Sequence, residues 1–432
     1  MTIIKKSKHL TVGANERAYT AVPMTERKSV VEVASVWMGF TMAASLAVLG
    51  GIVQSGVGVQ KAIIAVLIGN FLLFIYSTAL GIISYRSGLN FALVAQRAFG
   101  SKGYMLASLI LSGLVLGWFA VQADMFGYLL NTAILTETPQ WIITLVLSLV
   151  FMSTALLGYK AMVYLSYLVI PSFLILGVLA ASKAFSEGGL NLSYVPEGAT
   201  MGMGTAISIV AASFIVSATL TGDFVRWARS IRDVVIVHFL AFIVGLSATM
   251  LFGVFLSAAG KETDIFTTLI GLGLTIPAVV MTGINLWSTC DNCLYNSSLG
   301  FSNQANTILG RRVSQKTVTL VLGIIGAIIA TSGAFGSYDA WLLLLGTVVP
   351  PAGGIVMADY YLVNRKKRDK VYSDGYTNPT TFKWQAFIAW IAGIAVAYFL
   401  EKAVPSIPAA YVGVAVGAVV YCMLDRLTAT TK

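Results

Sequence analysis

The chain has 432 residues, 57% of them hydrophobic and only 11% charged, with a formal net charge of +10 and a mean hydropathy of +0.83. A soluble domain carries about 25% charged residues, so a single water-soluble globule is excluded and the apolar surface requires a bilayer. The positive charge needs no nucleic-acid partner, because basic loops facing anionic membrane lipid account for it.

Windows of about 20 residues, matched to a hydrocarbon core of about 30 Å, predict a cytoplasmic tail over 1–30 and then twelve spans. The first six lie near 33–58, 62–85, 104–134, 140–158, 162–185 and 204–224. The second six lie near 233–258, 267–300, 317–334, 339–362, 384–401 and 409–425. If the tail is inside, alternate connections collect the basic residues: all of the 28 Lys and Arg except Lys61, Lys183, Lys261 and Lys402 fall on the tail's side. That is the positive-inside pattern, and it predicts a multi-pass protein of the plasma (inner) membrane with both termini cytoplasmic. The tail has no apolar stretch followed by a small-residue cleavage site, so the first span is expected to drive insertion.

Several chemistries find no support along the chain. Cys290, Cys293 and Cys422 all fall in predicted spans, and the C-x-x-C of the first two has no second pair or His cluster to complete a metal site. His9 lies in the tail and His238 stands alone in the seventh span, so no hydrolytic constellation forms. No G-x-x-x-x-G-K-[ST] phosphate loop occurs. Uphill transport by this chain would draw on an ion gradient.

Helix interruptions are the next signal. The first span holds Gly39, Gly50 and Gly51, and the sixth carries the small and hydroxyl-rich run 211–219, in equivalent places of two groups of five spans. Paired interruptions point to an inverted-repeat transporter whose unwound backbone binds a cation and a polar ligand. Small residues that only permit close helix packing are the alternative.

Intramembrane polar residues mark the candidate site, because an unpaired polar group costs several kcal/mol in hydrocarbon. Trp118 and Gln122 in the third span share a helix face and suit a flat heterocycle with donors and acceptors; packing is the alternative role for the indole. Phe214, beside Ser213 in the sixth span, offers a second ring. Asn285, Ser288 and Thr289 in the eighth span lie at i, i+3 and i+4, and such oxygens suit Na⁺ or else bond neighbouring helices. Asp291, Asp223 and Asp359 are read as Arg partners or helix caps. Asp124, inside the third span, is either a proton or cation participant or the partner of a basic residue distant in sequence.

The runs GWFAVQ (117–122), ASFIVSATLTGDFVRWAR (212–229), INLWSTCDNCLYNSSLGF (284–301) and PPAGGIVMADYYLVNR (350–365) resemble the nucleobase:cation symporter-1 family, with bacterial cytosine permeases the nearest in kind. The resemblance spans about 30–426. It implies an all-α integral membrane fold of about 12 transmembrane helices, a five-plus-five inverted repeat of the LeuT type with two C-terminal helices. The repeats would cover 31–200 and 201–365, and the C-terminal pair 366–432. It implies no enzyme but a symporter that imports cytosine or a related nucleobase by alternating access. Trp118 and Phe214 would sandwich the heterocycle, with Gln122, Ser213 and Asn285 as polar contacts. Na⁺, the coupling ion, would be held by the carbonyls of Gly39 and Met42 together with Asn285, Ser288 and Thr289.

The chain departs from the cytosine-permease pattern at Val115 and Val216, where those proteins carry Gln and Ser, at Cys290 in place of Asn, and at Asp124 in place of a small apolar residue. Lost hydrogen-bonding groups change which ligand edges are satisfied. The alternatives are therefore a proton-coupled importer of another planar heterocycle (a purine, a hydantoin or allantoin, a hydroxymethylpyrimidine), or a channel or non-transporting sensor.

Overall fold

The computed structural model describes residues 20–157, 159–186, 191–309, 313–376 and 379–430. The tail and loop residues Lys5, Lys6, Lys8, His9, Arg17, Arg311, Arg312 and Lys432 lie outside these. Each of the twelve predicted spans falls on helix. The first is a pair, α1 (Val30–Thr41) and α2 (Ala44–Val57), bent by 52° at their junction. A capping box starts it: Ser29 Oγ accepts the Glu32 N–H and Glu32 Oε2 accepts the Ser29 N–H at 2.8 Å. Then come α3 (Val59–Ser87), the short α4 (Phe91–Phe99), α5 (Gly103–Ala133), α6 (Gln140–Leu157) and α7 (Tyr159–Ser186).

The sixth span is α8 (Met203–Thr219) with the single turn α9 (Gly222–Val225). The seventh is α10 (Ile231–His238), a π-helical stretch over Phe239–Leu246 and α11 (Ser247–Gly260). The eighth predicted span separates into α12 (Ile265–Gly271) and the long α13 (Thr275–Leu309), parted at Gly273, whose φ of +71° stops the first helix. α14 (Gln315–Thr331) is the ninth span. The tenth combines α15 (Tyr338–Val348), α16 (Pro350–Ala358) and a π turn over Asp359–Val363, with Pro350 and Pro351 opening α16. After the turn α17 (Arg368–Val371), α18 (Trp384–Ala403) and α19 (Ala409–Thr430) close the chain. By length and composition alone, seven helices among the described residues can cross a membrane and the bent first pair makes an eighth.

Two expectations about the breaks are corrected. The first span bends at Met42 and Ala43, not at its glycines. Gly50 lies within α2 and faces the Met250 carbonyl, while Gly253 of α11 faces the Ala47 carbonyl, so that a Cβ at either would overlap backbone. These glycines let two helices cross closely, as small residues do in membranes. Likewise 211–219 is continuous helix, and the sixth span is interrupted at Leu220 and Thr221 instead, between α8 and α9.

α13 packs against both α5 and α7, and α16 packs on the C-terminal pair α18 and α19. Ile68, Phe71 and Ile75 on α3, Ile324 and Ile328 on α14, and Ile388, Ile391 and Phe399 on α18 face outward. Such a belt is tolerable only against lipid. On the side of the basic loops, the connection after the tenth span clasps the one before α5. The carbonyls of Thr380 and Thr381 accept the N–H groups of Ser101 and Lys102, each at 2.9 Å, and Arg97 donates to the Tyr376 carbonyl at 2.6 Å.

Candidate functional site

The junction of α1 and α2 is the centre from which the site is built. Met42 leaves the helix at φ −98°, ψ 40°. Its N–H donates the final helical bond, to Met38 O at 3.2 Å, so the carbonyls from Gly39 onward lie beyond the last turn. Asn285, buried on α13, closes the break from the other side: its Nδ2 donates to the Met42 carbonyl at 2.9 Å and its Oδ1 accepts the Ala44 N–H at 2.6 Å. One amide thus serves a freed acceptor and a freed donor. Thr289 Oγ1 donates to the Asn285 carbonyl at 2.8 Å, keeping its lone pairs available, and Ser288 is buried beside it. The Met42 carbonyl and these side-chain oxygens are hard donors of the kind a small cation takes.

On α5, Trp118 and Gln122 are both buried and share a helix face. Gln122 Nε2 donates to the Trp118 carbonyl at 3.2 Å and reaches Cys293 Sγ at 3.7 Å, while its Oε1 is buried with no hydrogen-bond partner among the described residues. Trp118 meets Tyr338 edge to face, with centroids 5.8 Å apart. Phe214 lies in a different cluster, against Trp37 at 5.7 Å, Phe40 at 5.4 Å and Phe242 at 5.8 Å. Trp118 and Phe214 share no ring contact among the described residues. Ser213 Oγ donates to Val210 O at 2.6 Å, so its hydroxyl can only accept from a ligand. Val115 and Val216 are buried. Cys290 and Cys293 are free thiols, and Cys290 Sγ donates to the Phe119 carbonyl at 3.7 Å.

The acidic residues divide by partner. Asp124 is 2% exposed and held by neutral donors only: Gln140 Nε2 at 2.8 Å and Thr144 Oγ1 at 3.0 Å on one oxygen, the Phe335 N–H at 2.9 Å on the other. Of the two roles open to Asp124, the pairing with a basic residue is not found among the described ion pairs; the carboxylate staples α5 to α6 and to the turn before α15. Asp359 does pair, with Lys383 at 3.3 Å, and accepts from Tyr372, Tyr421 and Asn364. Asp223 accepts the Phe91 N–H that opens α4, at 2.9 Å. Asp291 Oδ1 accepts from Thr154 Oγ1 at 2.5 Å, and Thr154 in turn accepts from Trp287 Nε1 at 2.9 Å.

Sequence reasoning missed two groups. Tyr338 joins Trp118 to the broken first span, and only an aromatic at the mouth of a span signals it. His238 is fully buried where the sixth span is interrupted, its Nε2 2.7 Å from Thr221 Oγ1 and its Nδ1 3.2 Å from Thr78 Oγ1. Its hydroxyl partners on other elements leave no pattern in the sequence.

A polytopic bundle with a broken first span bridged by a buried amide, and a sixth span interrupted at Leu220 and Thr221, is the architecture of a secondary transporter. The model of the family of permeases for cytosine/purines, uracil, thiamine and allantoin matches residues 21–422, and the chain belongs to this family, the nucleobase:cation symporters-1. It is 36% identical over 386 residues to the cytosine permease of Escherichia coli K12, covering 89% of each chain. Among solved structures it superposes on the inward-facing conformation of Mhp1 with a TM-score of 0.82 at 18% identity, over 99% of this chain and 96% of that one. Mhp1 closed on bromovinylhydantoin gives 0.78 at 20% identity over 96% of each. A Na⁺-coupled sialic acid symporter gives 0.60 at 13% identity, over 93% of this chain and 90% of that one. The fold is accordingly of the LeuT type, and the protein is a transporter rather than an enzyme.

Proposed function

We propose that this protein imports cytosine or a closely related nucleobase together with Na⁺, by alternating access, across the plasma membrane with both termini in the cytoplasm. The inverted repeats would be 31–200 and 201–365, followed by the C-terminal pair. The observation that carries the substrate reading is Gln122, a buried amide in mid-membrane whose Oε1 lacks a partner among the described residues, on the same helix face as the Trp118 indole. A planar ring with an N–H edge supplies what both side chains need. Its opposite face would meet Phe214, and Ser213 would accept a second N–H.

The cation reading rests on the break at Met42. The carbonyls of Gly39 and Met42 with Asn285, Ser288 and Thr289 form a set of hard oxygens, and a cation there would hold the two halves of the first span to α13. Likeness to the cytosine permease favours cytosine among nucleobases. Proton coupling through Asp124 is disfavoured, because three neutral donors already occupy its two oxygens.

The test is uptake of labelled cytosine into proteoliposomes with an inward Na⁺ gradient or with Na⁺ replaced by K⁺ at matched pH, followed by competition with unlabelled nucleobases and hydantoins. Saturable, Na⁺-dependent cytosine uptake supports the reading. Uptake driven by a proton gradient in K⁺ would overturn the coupling, and displacement only by a different heterocycle would mean that Val115 and Val216 have changed the slot.

A further inference from the structure

Tyr338 touches both halves of the site. It opens α15, is 2% exposed, and donates its hydroxyl to the Ser45 carbonyl of α2 at 3.0 Å. The same ring stands edge-on to Trp118, at 74° and 5.8 Å between centroids. Ser45 follows directly on Ala44, whose N–H is held by Asn285 Oδ1. A chain of contacts therefore runs from the indole through the phenol and its hydroxyl to Ser45 and Ala44, and so to the Asn285 amide across the break.

We propose that Tyr338 is a positioning residue that couples the cation at the break of the first span to the heterocycle on Trp118. This inference rests on the sodium-linked reading above and adds the physical link between its two ligands. A cation drawing on the Met42 carbonyl and Asn285 fixes the first turn of α2. Tyr338, tied to that turn by a hydrogen bond, then fixes the edge on which the indole rests. Linkage makes the effect run both ways: a ring seated on Trp118 favours the arrangement that holds the cation. The ring and the hydroxyl carry different parts of this task, which makes them separable. Removing the hydroxyl cuts the tie to Ser45 and leaves the edge contact in place, whereas removing the ring loses both.

The experiment is equilibrium binding of labelled cytosine to the purified full chain in nanodiscs, in NaCl and in KCl of equal ionic strength, for wild type, Tyr338→Phe and Tyr338→Leu. The ratio of the two Kd values measures the coupling. For Tyr338→Phe the ratio falls about fivefold, the loss of roughly one hydrogen bond, while Kd in KCl shifts less than about twofold. Tyr338→Leu weakens cytosine in both salts; should it fail to fold, Tyr338→Phe decides alone. A wild-type ratio in Tyr338→Phe would overturn the proposal, as would equal weakening in both salts, the mark of a purely structural role. A wild type that binds cytosine equally in the two salts, or not at all, would overturn the sodium-linked reading itself and this inference with it. The wild-type arm thereby separates the two failures.

Discussion

Asn285 shows how, at the residue scale, one side chain replaces two helical bonds. Its amide pairs with an acceptor and a donor that the break at Met42 would otherwise leave buried, and each orphaned group would cost about 1–3 kcal/mol. Asn285→Ala is expected to lower the thermal midpoint of the purified protein clearly and to raise the Na⁺ concentration that half-activates uptake. Thr289→Ala should spare stability but weaken Na⁺ dependence and cytosine affinity together; unchanged Na⁺ dependence would remove Thr289 from the cation site. Asp124→Asn separates structure from coupling. The amide can keep one acceptor oxygen for Gln140 and Thr144 but sets a donor against the Phe335 N–H. Stability is therefore expected to drop by about 1–3 kcal/mol, with the choice of coupling ion unchanged. A switch in ion dependence would restore Asp124 to the coupling machinery.

Among elements, glycines divide by what lies opposite them. A Cβ at Gly253 would overlap the Ala47 carbonyl, where α11 crosses α2, whereas one at Gly39 meets nothing within 4 Å. Gly253→Ala should therefore abolish recovery of folded protein, read by size-exclusion chromatography in detergent, while Gly39→Ala leaves the thermal midpoint nearly unchanged. Both residues look alike in sequence, which is why the first span was expected to break at glycine. The break is instead held by Asn285, 243 residues further along the chain. No local pattern announces a hydrogen bond of that range. Helix existence was legible, because a long apolar run in lipid has helix as its only way to satisfy its backbone. The short α4 and α12 were not legible in hydropathy, since their ends are set by caps: Asn90 and Gly100 for α4, Asp264 and Gly273 for α12.

For the whole molecule, the proposed coupling of two ligands through one break has a thermodynamic signature. If Na⁺ tightens cytosine binding by some factor, cytosine must tighten Na⁺ by the same factor, and paired titrations of the wild type should agree. Orientation has its own check: a cysteine introduced at Lys367, in the exposed basic loop before α17, should react with an impermeant maleimide only after cells are opened. Labelling of intact cells would invert the topology.

Composition and the placement of Lys and Arg determined by themselves that this chain is a multi-pass membrane protein, and predicted which way it lies, because bilayer thickness and leaflet charge act on local stretches of sequence. Four separated motifs determined the family. Tertiary structure alone decided where the helices break, that Asp124 is a staple among neutral donors, and that Tyr338 stands between Trp118 and Ser45. These depend on which distant groups meet in space, and in a bundle of helices that meeting is set by packing across spans rather than by periodicity along any one of them.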